Sequence, residues 1–139
     1  MGSIHQEIRI DASASSVYRA LTDQAGYRGW WNARAEVPQK VGGTAHLHFD
    51  KDGQPVEMKF RIDETEANRV VCWVCTDHSM PAWVGTSLRW RLSEAGGATL
   101  ATFEHGGWPD APPEPVIQGW KHFLGSLKSY VETGQGQPW

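Results

Sequence analysis

The chain has no apolar run approaching the ~18 residues of a membrane-spanning helix, so no insertion into a bilayer is expected. Its first residues, Met1 to Gln6, lack the apolar stretch of a secretion signal, and Gln6 stands where a myristoylation motif at Gly2 requires Ser or Thr. A cytoplasmic location is the expectation. Cysteine is scarce: Cys72 and Cys75 are the only two, which fits a reducing compartment and leaves no disulfide framework to hold the fold. No charge of one sign dominates. Thirteen Lys and Arg against sixteen Asp and Glu give a net charge of −3, with the signs interspersed, which argues against a nucleic acid or an anionic membrane as partner. Also missing are G-x-S-x-G, a P-loop, G-x-G-x-x-G, internal repeats and low-complexity segments. No cofactor is expected.

What is present is a 139-residue chain, 40% hydrophobic and 21% charged, the composition of one folded domain over residues 1–139. A chain of this size buries roughly 68–70% of its unfolded surface, enough for a core without metal or disulfide. Tryptophan is in surplus, at eight residues. Large, stiff indole rings suit the walls of a small-molecule cavity, and they suit a filled core equally well.

Hydrophobic periodicity sets the elements. Ile4, Ile8 and Ile10 alternate with polar residues, the pattern of a strand with one apolar face. Ser13 is placed to cap a short helix running to about Thr22, and a second short helix is expected over residues 25–30. Gly42-Gly43 turns the chain into a run of strands. Ala45, Leu47 and Phe49 alternate with His46 and His48; the Asp52-Gly53 turn follows; then Val56, Met58, Phe60 and Ile62 alternate with charged residues. Further strands are expected over residues 70–76, from Val84 to Leu92, and from Thr99 to His105, with a short extra strand at residues 33–37. After a Pro-rich loop, Val116, Ile117, Trp120, Phe123, Leu124, Leu127, Tyr130 and Val131 recur at the helical period up to a stop at Gly134. Gln135–Trp139 is expected to be a frayed tail. Strands and helices are segregated, which gives an α+β fold whose antiparallel sheet must bury its apolar face against the last helix.

The segments "IRIDASASSVYRALTD" (Ile8–Asp23), "WW" (Trp30-Trp31), "GG" (Gly42-Gly43), "HGGW" (His105–Trp108) and "GWKHFLGSLKSYVETG" (Gly119–Gly134) carry a resemblance over nearly the whole chain. In order and spacing the sequence resembles the START-like, polyketide-cyclase-like (SRPBCC) superfamily, in the branch related to the activator of a heat-shock-protein ATPase. The resemblance implies a helix-grip fold: a curved antiparallel sheet of six or seven strands wrapped around a long C-terminal helix, with two short helices after the first strand. It implies a cavity between sheet and helix. Members bind apolar molecules, act on them, or bind proteins.

Candidate site residues follow from the apolar faces. Trp31, Phe49, Phe60, Trp73, Trp90, Phe103 and Trp108 are candidate walls on the sheet side, and Trp120 and Phe123 on the helix side. His105, sharing a face with Ala101 and Phe103, is the best polar candidate, as ligand anchor or proton carrier; a histidine bonded to the adjoining loop is the plainer reading. Glu104, Asp110 and Glu114 could rim it. His46 and His48 share a strand face, but that face is opposite the expected core and no third ligand is visible, so no metal is expected. Cys72 and Cys75 match C-x-x-C, yet residues three apart on a strand face opposite sides, which leaves them as small buried hydrophobes. Gly119 either admits a ligand or takes a close Trp ring. The order of readings is binding of an apolar or aromatic small molecule first, interaction with a protein partner second, and cyclase/aromatase-like catalysis third. Oligomeric state is not specified by the sequence.

Overall fold

The computed structural model describes residues 2–139. Strand β1 (Gly2–Ile10) is followed by helices α1 (Ala14–Ala20) and α2 (Gln24–Trp30). Then come β2 (Thr44–Lys51), β3 (Gln54–Glu66), β4 (Val70–His78), β5 (Ser87–Ala95), β6 (Ala98–Trp108) and α3 (Glu114–Thr133). The six strands form one antiparallel sheet in the order β1-β6-β5-β4-β3-β2. This is the helix-grip arrangement, and its strand number is the lower of the two expected.

The alternation read from sequence fixes which face each strand buries. Ala45, Leu47 and Phe49 of β2, with Met58, Phe60 and Ile62 of β3, are buried in the shared core. Val71, Trp73 and Cys75 of β4, Leu88, Trp90 and Leu92 of β5, and Ala101 and Phe103 of β6 continue the same face. Helix α3 closes it with Trp120, Leu124 and Leu127, while Val116, Ile117, Phe123, Tyr130 and Val131 are partly buried around them. Burial of this one stripe is what fixes α3, since water-exposed apolar area costs about 25 cal/mol per Å². Ser13 caps α1 by accepting from the Ser16 N–H, and Gly134, at φ 85°, ends α3 with its N–H bonded to the Tyr130 carbonyl.

Three expectations are corrected. The strand expected from Val84 starts only at Ser87: Pro81–Trp83 forms a 3₁₀ turn and Gly85, at φ 90°, is still outside the extended region, so the chain is still turning there. Residues 33–37 form no strand; Glu36 alone bridges His46 through two backbone hydrogen bonds of 2.8 Å each. The tail is not frayed. The Trp139 N–H donates to the Trp31 carbonyl at 2.8 Å, and the Trp139 carbonyl accepts from Ala33 N–H at 3.0 Å and from Asn32 Nδ2 at 3.2 Å. Ser126 Oγ donates to the Trp30 carbonyl at 2.7 Å and accepts from the Gln137 N–H at 2.6 Å. The tail is therefore stitched across α2 and α3.

Candidate functional site

A cavity of about 230 Å³ opens under the first turns of α3, bounded by β2, β3 and the segment after β4. Its walls are Trp31, Phe49, Val56, Met58, Met80, Trp83, Pro113, Pro115, Val116, Trp120, Phe123 and Trp139, with Lys51, His78 and Gly119. Gly119 is part of this lining, and a Cβ there would meet nothing within 4 Å.

Of the ten candidate residues, four line this cavity: Trp31, Phe49, Trp120 and Phe123. Five others are aromatics of the filled core beside it. Phe60 and Trp73 lie 5.9 and 6.4 Å from Trp31, and Trp90 and Phe103 pack at 4.4 Å from each other. Phe103 in turn backs Trp120 at 4.4 Å, and Trp108 backs Trp83 at 5.6 Å. They shape the wall without facing the space.

His105 is the tenth, and it is a core residue rather than a cavity group. It is fully buried, and both ring nitrogens are taken. Trp120 Nε1, which can only donate, bonds to His105 Nδ1 at 3.0 Å. The ring is then the Nε2–H tautomer, and Nε2 donates to Thr86 Oγ1 at 2.9 Å. Thr86 Oγ1 in turn donates a hydrogen bond to the Trp83 carbonyl at 2.6 Å. Burial, helped by the nearby His78, pushes the His105 pKa down to about 3, so the ring is neutral at physiological pH. Both ring nitrogens are engaged within the core, and the ring does not line the cavity, where the anchor was expected. Glu104 is on the opposite face, 3.0 Å from His5, and forms no rim.

The cavity's lining includes two polar side chains, the exposed Lys51 and the buried His78, and the sequence reading missed His78. Its Nδ1 accepts from the Met80 N–H at 2.7 Å, so the neutral ring carries its proton on Nε2, and that buried atom has no partner among the described residues. Burial lowers its pKa to about 4, against a small opposing pull from Asp77. The ring stacks on Trp83 at 4.4 Å and 17°. The indole Nε1 of Trp83 is also buried and unpartnered. His78 and Trp83 line the cavity, and Nε2 of one and Nε1 of the other are buried without an acceptor among the described residues, as is Trp108 Nε1 behind them; such atoms are uncommon in a well-satisfied interior. The only sequence signal for them was the Pro81 after a strand, which marks where the chain turns back over the sheet. Two further concavities, beside Tyr18 and Ile62 and beside Arg19 and Tyr130, contain none of these unpartnered atoms.

Cys72 and Cys75 are both buried and unpaired, on opposite faces of β4 as their spacing requires. Burial raises both thiols, Cys75 to about 11, which leaves them unreactive. No helix among the described residues is long and apolar enough to cross a membrane.

Comparison with known proteins places this geometry. No curated protein matches the chain in sequence. Its structure is similar to the solution structure of the Aha1 dimer from Colwellia psychrerythraea, with a TM-score of 0.80 at 28% identity over 98% of this chain and 100% of that one. It is similar to a protein of Chromobacterium violaceum, TM-score 0.80 at 21% identity over 95% and 99% of the two chains. It is also similar to DynU16, described as a putative protein in the dynemicin biosynthetic locus, TM-score 0.78 at 20% identity over 98% of this chain and 49% of that one. The latter two show the shared fold alone. That fold is one used for ligand binding or interaction in general. A family model, Activator of Hsp90 ATPase homolog 1-like protein, matches residues 11–132, and the chain belongs to that family, within the SRPBCC superfamily.

Proposed function

We propose that this protein binds a small apolar or aromatic molecule carrying a hydrogen-bond acceptor, in the cavity between the sheet and the first turns of α3. The observation that carries the reading is the pair of buried, unpartnered donors, His78 Nε2 and Trp83 Nε1, on residues that line a largely apolar space. A ligand carbonyl, phenol or ether oxygen would satisfy a donor whose lack of a partner costs about 1–3 kcal/mol. Size limits the class. A cavity of 150 Å³ is known to hold benzene, so about 230 Å³ suits one ring or a fused pair rather than a lipid. His78 is neutral near pH 7, which favours a neutral acceptor over a carboxylate.

A thermal-shift and native mass-spectrometry screen of one- and two-ring phenols, aryl ketones and lactones tests it. A 1:1 complex that is lost in Gly119→Leu and weakened at least tenfold in His78→Phe is the expected result. No complex with any of them, or binding unchanged in both variants, would overturn it.

A protein-interaction reading comes second, supported by the family's name and by Met80 and Val84, which expose 46% and 49% of their surface beside the cavity mouth. It predicts that a heat-shock ATPase partner is retained by the wild type and released by a Met80→Glu, Val84→Glu double variant. A catalytic reading has less support, because the buried His105 has both ring nitrogens hydrogen-bonded within the core and does not line the cavity.

A further inference from the structure

On the face of the sheet away from the cavity, His46 and His48 stand side by side on edge strand β2, with ring centroids 4.3 Å apart. Alternation places them there; what periodicity does not show is the third residue. The two backbone hydrogen bonds between Glu36 and His46 lash the segment before β2 onto the strand and bring the Glu36 carboxylate to 3.5 Å from His48 Nε2. One ligand atom from each of Glu36, His46 and His48 lies within 4.8 Å of the other two.

We infer that Glu36, His46 and His48 form a binding site for a divalent first-row transition cation, zinc in particular. Four features support it. A tetrahedral zinc with bonds of about 2.0–2.1 Å separates its ligand atoms by roughly 3.4 Å, so the set closes onto an ion by side-chain rotation alone. His46 Nε2 is buried and has no partner among the described residues, so the ring has an unsatisfied nitrogen. Across the ladder from His48, the Glu57 carboxylate lies 3.6 Å from His48 Nδ1, the position of the outer carboxylate that orients a zinc-bound imidazole and fixes its tautomer. Finally, two imidazoles and one carboxylate are a nitrogen-rich set that suits zinc, copper or nickel, and not calcium or magnesium, which demand oxygen ligands.

Three protein ligands leave a fourth position for water or for a group from a partner. The ion would pin residue 36 to the edge strand. It would also act on the cavity, since Asn32 bonds the backbone of His48 on both sides, through Nδ2 to the carbonyl at 2.7 Å and Oδ1 from the N–H at 3.1 Å, and holds the Trp139 carbonyl with the same amide.

The full chain, stripped with a chelator and titrated calorimetrically with zinc chloride, tests the assignment. One zinc per chain is expected, with magnesium giving no heat. His48→Gln and Glu36→Gln should each weaken zinc at least tenfold, and His122→Gln, remote from the site, should leave it unchanged. X-ray absorption of the zinc-loaded protein should show two imidazoles in the shell. Both ligand positions are on the solvent-facing side, and circular dichroism confirms that the variants fold. No zinc binding below millimolar concentration, affinity unchanged in both variants, or a shell without two imidazoles overturns the site.

Discussion

Trp120 donates its indole proton to His105 Nδ1 at 3.0 Å, joining the long helix to the sixth strand through one buried hydrogen bond. The bond decides the role of both residues. It commits His105 to a neutral, single tautomer, and it orients the Trp120 ring so that its other side forms a wall of the cavity. A group that looked like the chemistry of the site is part of its frame.

Stability should therefore fall with acid earlier than carboxylate titration explains. His105 and His78 have folded pKa values depressed to about 3 and about 4, while an unfolded imidazole titrates near 6.5. Between these values the unfolded chain binds protons that the folded chain refuses, so stability is complete above about pH 6.5 and is lost as the pH falls through the folded values. Each histidine contributes a slope of up to about 1.4 kcal/mol per pH unit. Urea unfolding at pH 7.5, 6.0 and 5.0 measures it. His105→Gln, which keeps an acceptor for Trp120 and a donor for Thr86, should lose one histidine's share of the slope; an unchanged pH profile in that variant would refute the assignment.

Thr86 is the relay's far end, fully buried, with Oγ1 accepting from His105 and donating to the Trp83 carbonyl. Thr86→Val keeps the shape and leaves His105 Nε2–H without an acceptor. The expected cost is about 1–3 kcal/mol in unfolding free energy, with the cavity's ligand affinity changed by less than threefold. A valine that costs nothing would mean that the relay carries no stability.

The sheet and the last helix were legible because each buries one face. Phe49 and Phe60 follow the period of two, and Trp120, Leu124 and Leu127 follow 3.6, and no tertiary event overrode either. The site was less legible for the same reason. Phe49 and Phe60 carry the same signal, yet one borders the cavity and the other fills the core, since alternation reports the face and not the space left beside the first turns of α3. His78 was missed because the strand runs two residues past Thr76, where the apolar pattern had stopped. Glu36 was missed as a ligand because it meets His46 through a single bridge, and one residue has no period.

Gly119 separates filling from folding. A Cβ there meets no atom within 4 Å, so Gly119→Ala should gain the helix-propensity difference, about 1 kcal/mol, seen as a higher thermal midpoint. Gly119→Leu should remain folded, since its side chain enters the cavity, but should bind no ring. If Gly119→Ala instead destabilises the protein, the space beside the helix is not there.

The tail supplies the last test, because fraying and stitching predict opposite results. The Trp139 ring packs on Phe49 at 4.6 Å and forms part of the cavity wall, while its backbone holds Trp31, Asn32 and Ala33. These contacts are separable. Trp139→Ala removes the ring and keeps the backbone bonds, so it should leave the fold almost as stable and speed ligand release by opening the wall. Removing residues 135–139 also strips one of the two partners of Asn32 Nδ2 and the partners of the Ala33 N–H and the Trp31 carbonyl, and should cost roughly 2–4 kcal/mol, the sum of a few lost hydrogen bonds at about 1 kcal/mol each with some packing. A frayed tail would give no change in either variant. Denaturant midpoints for the two variants, read beside ligand off-rates for Trp139→Ala, therefore distinguish a wall that the tail builds from a tail that merely follows the helix.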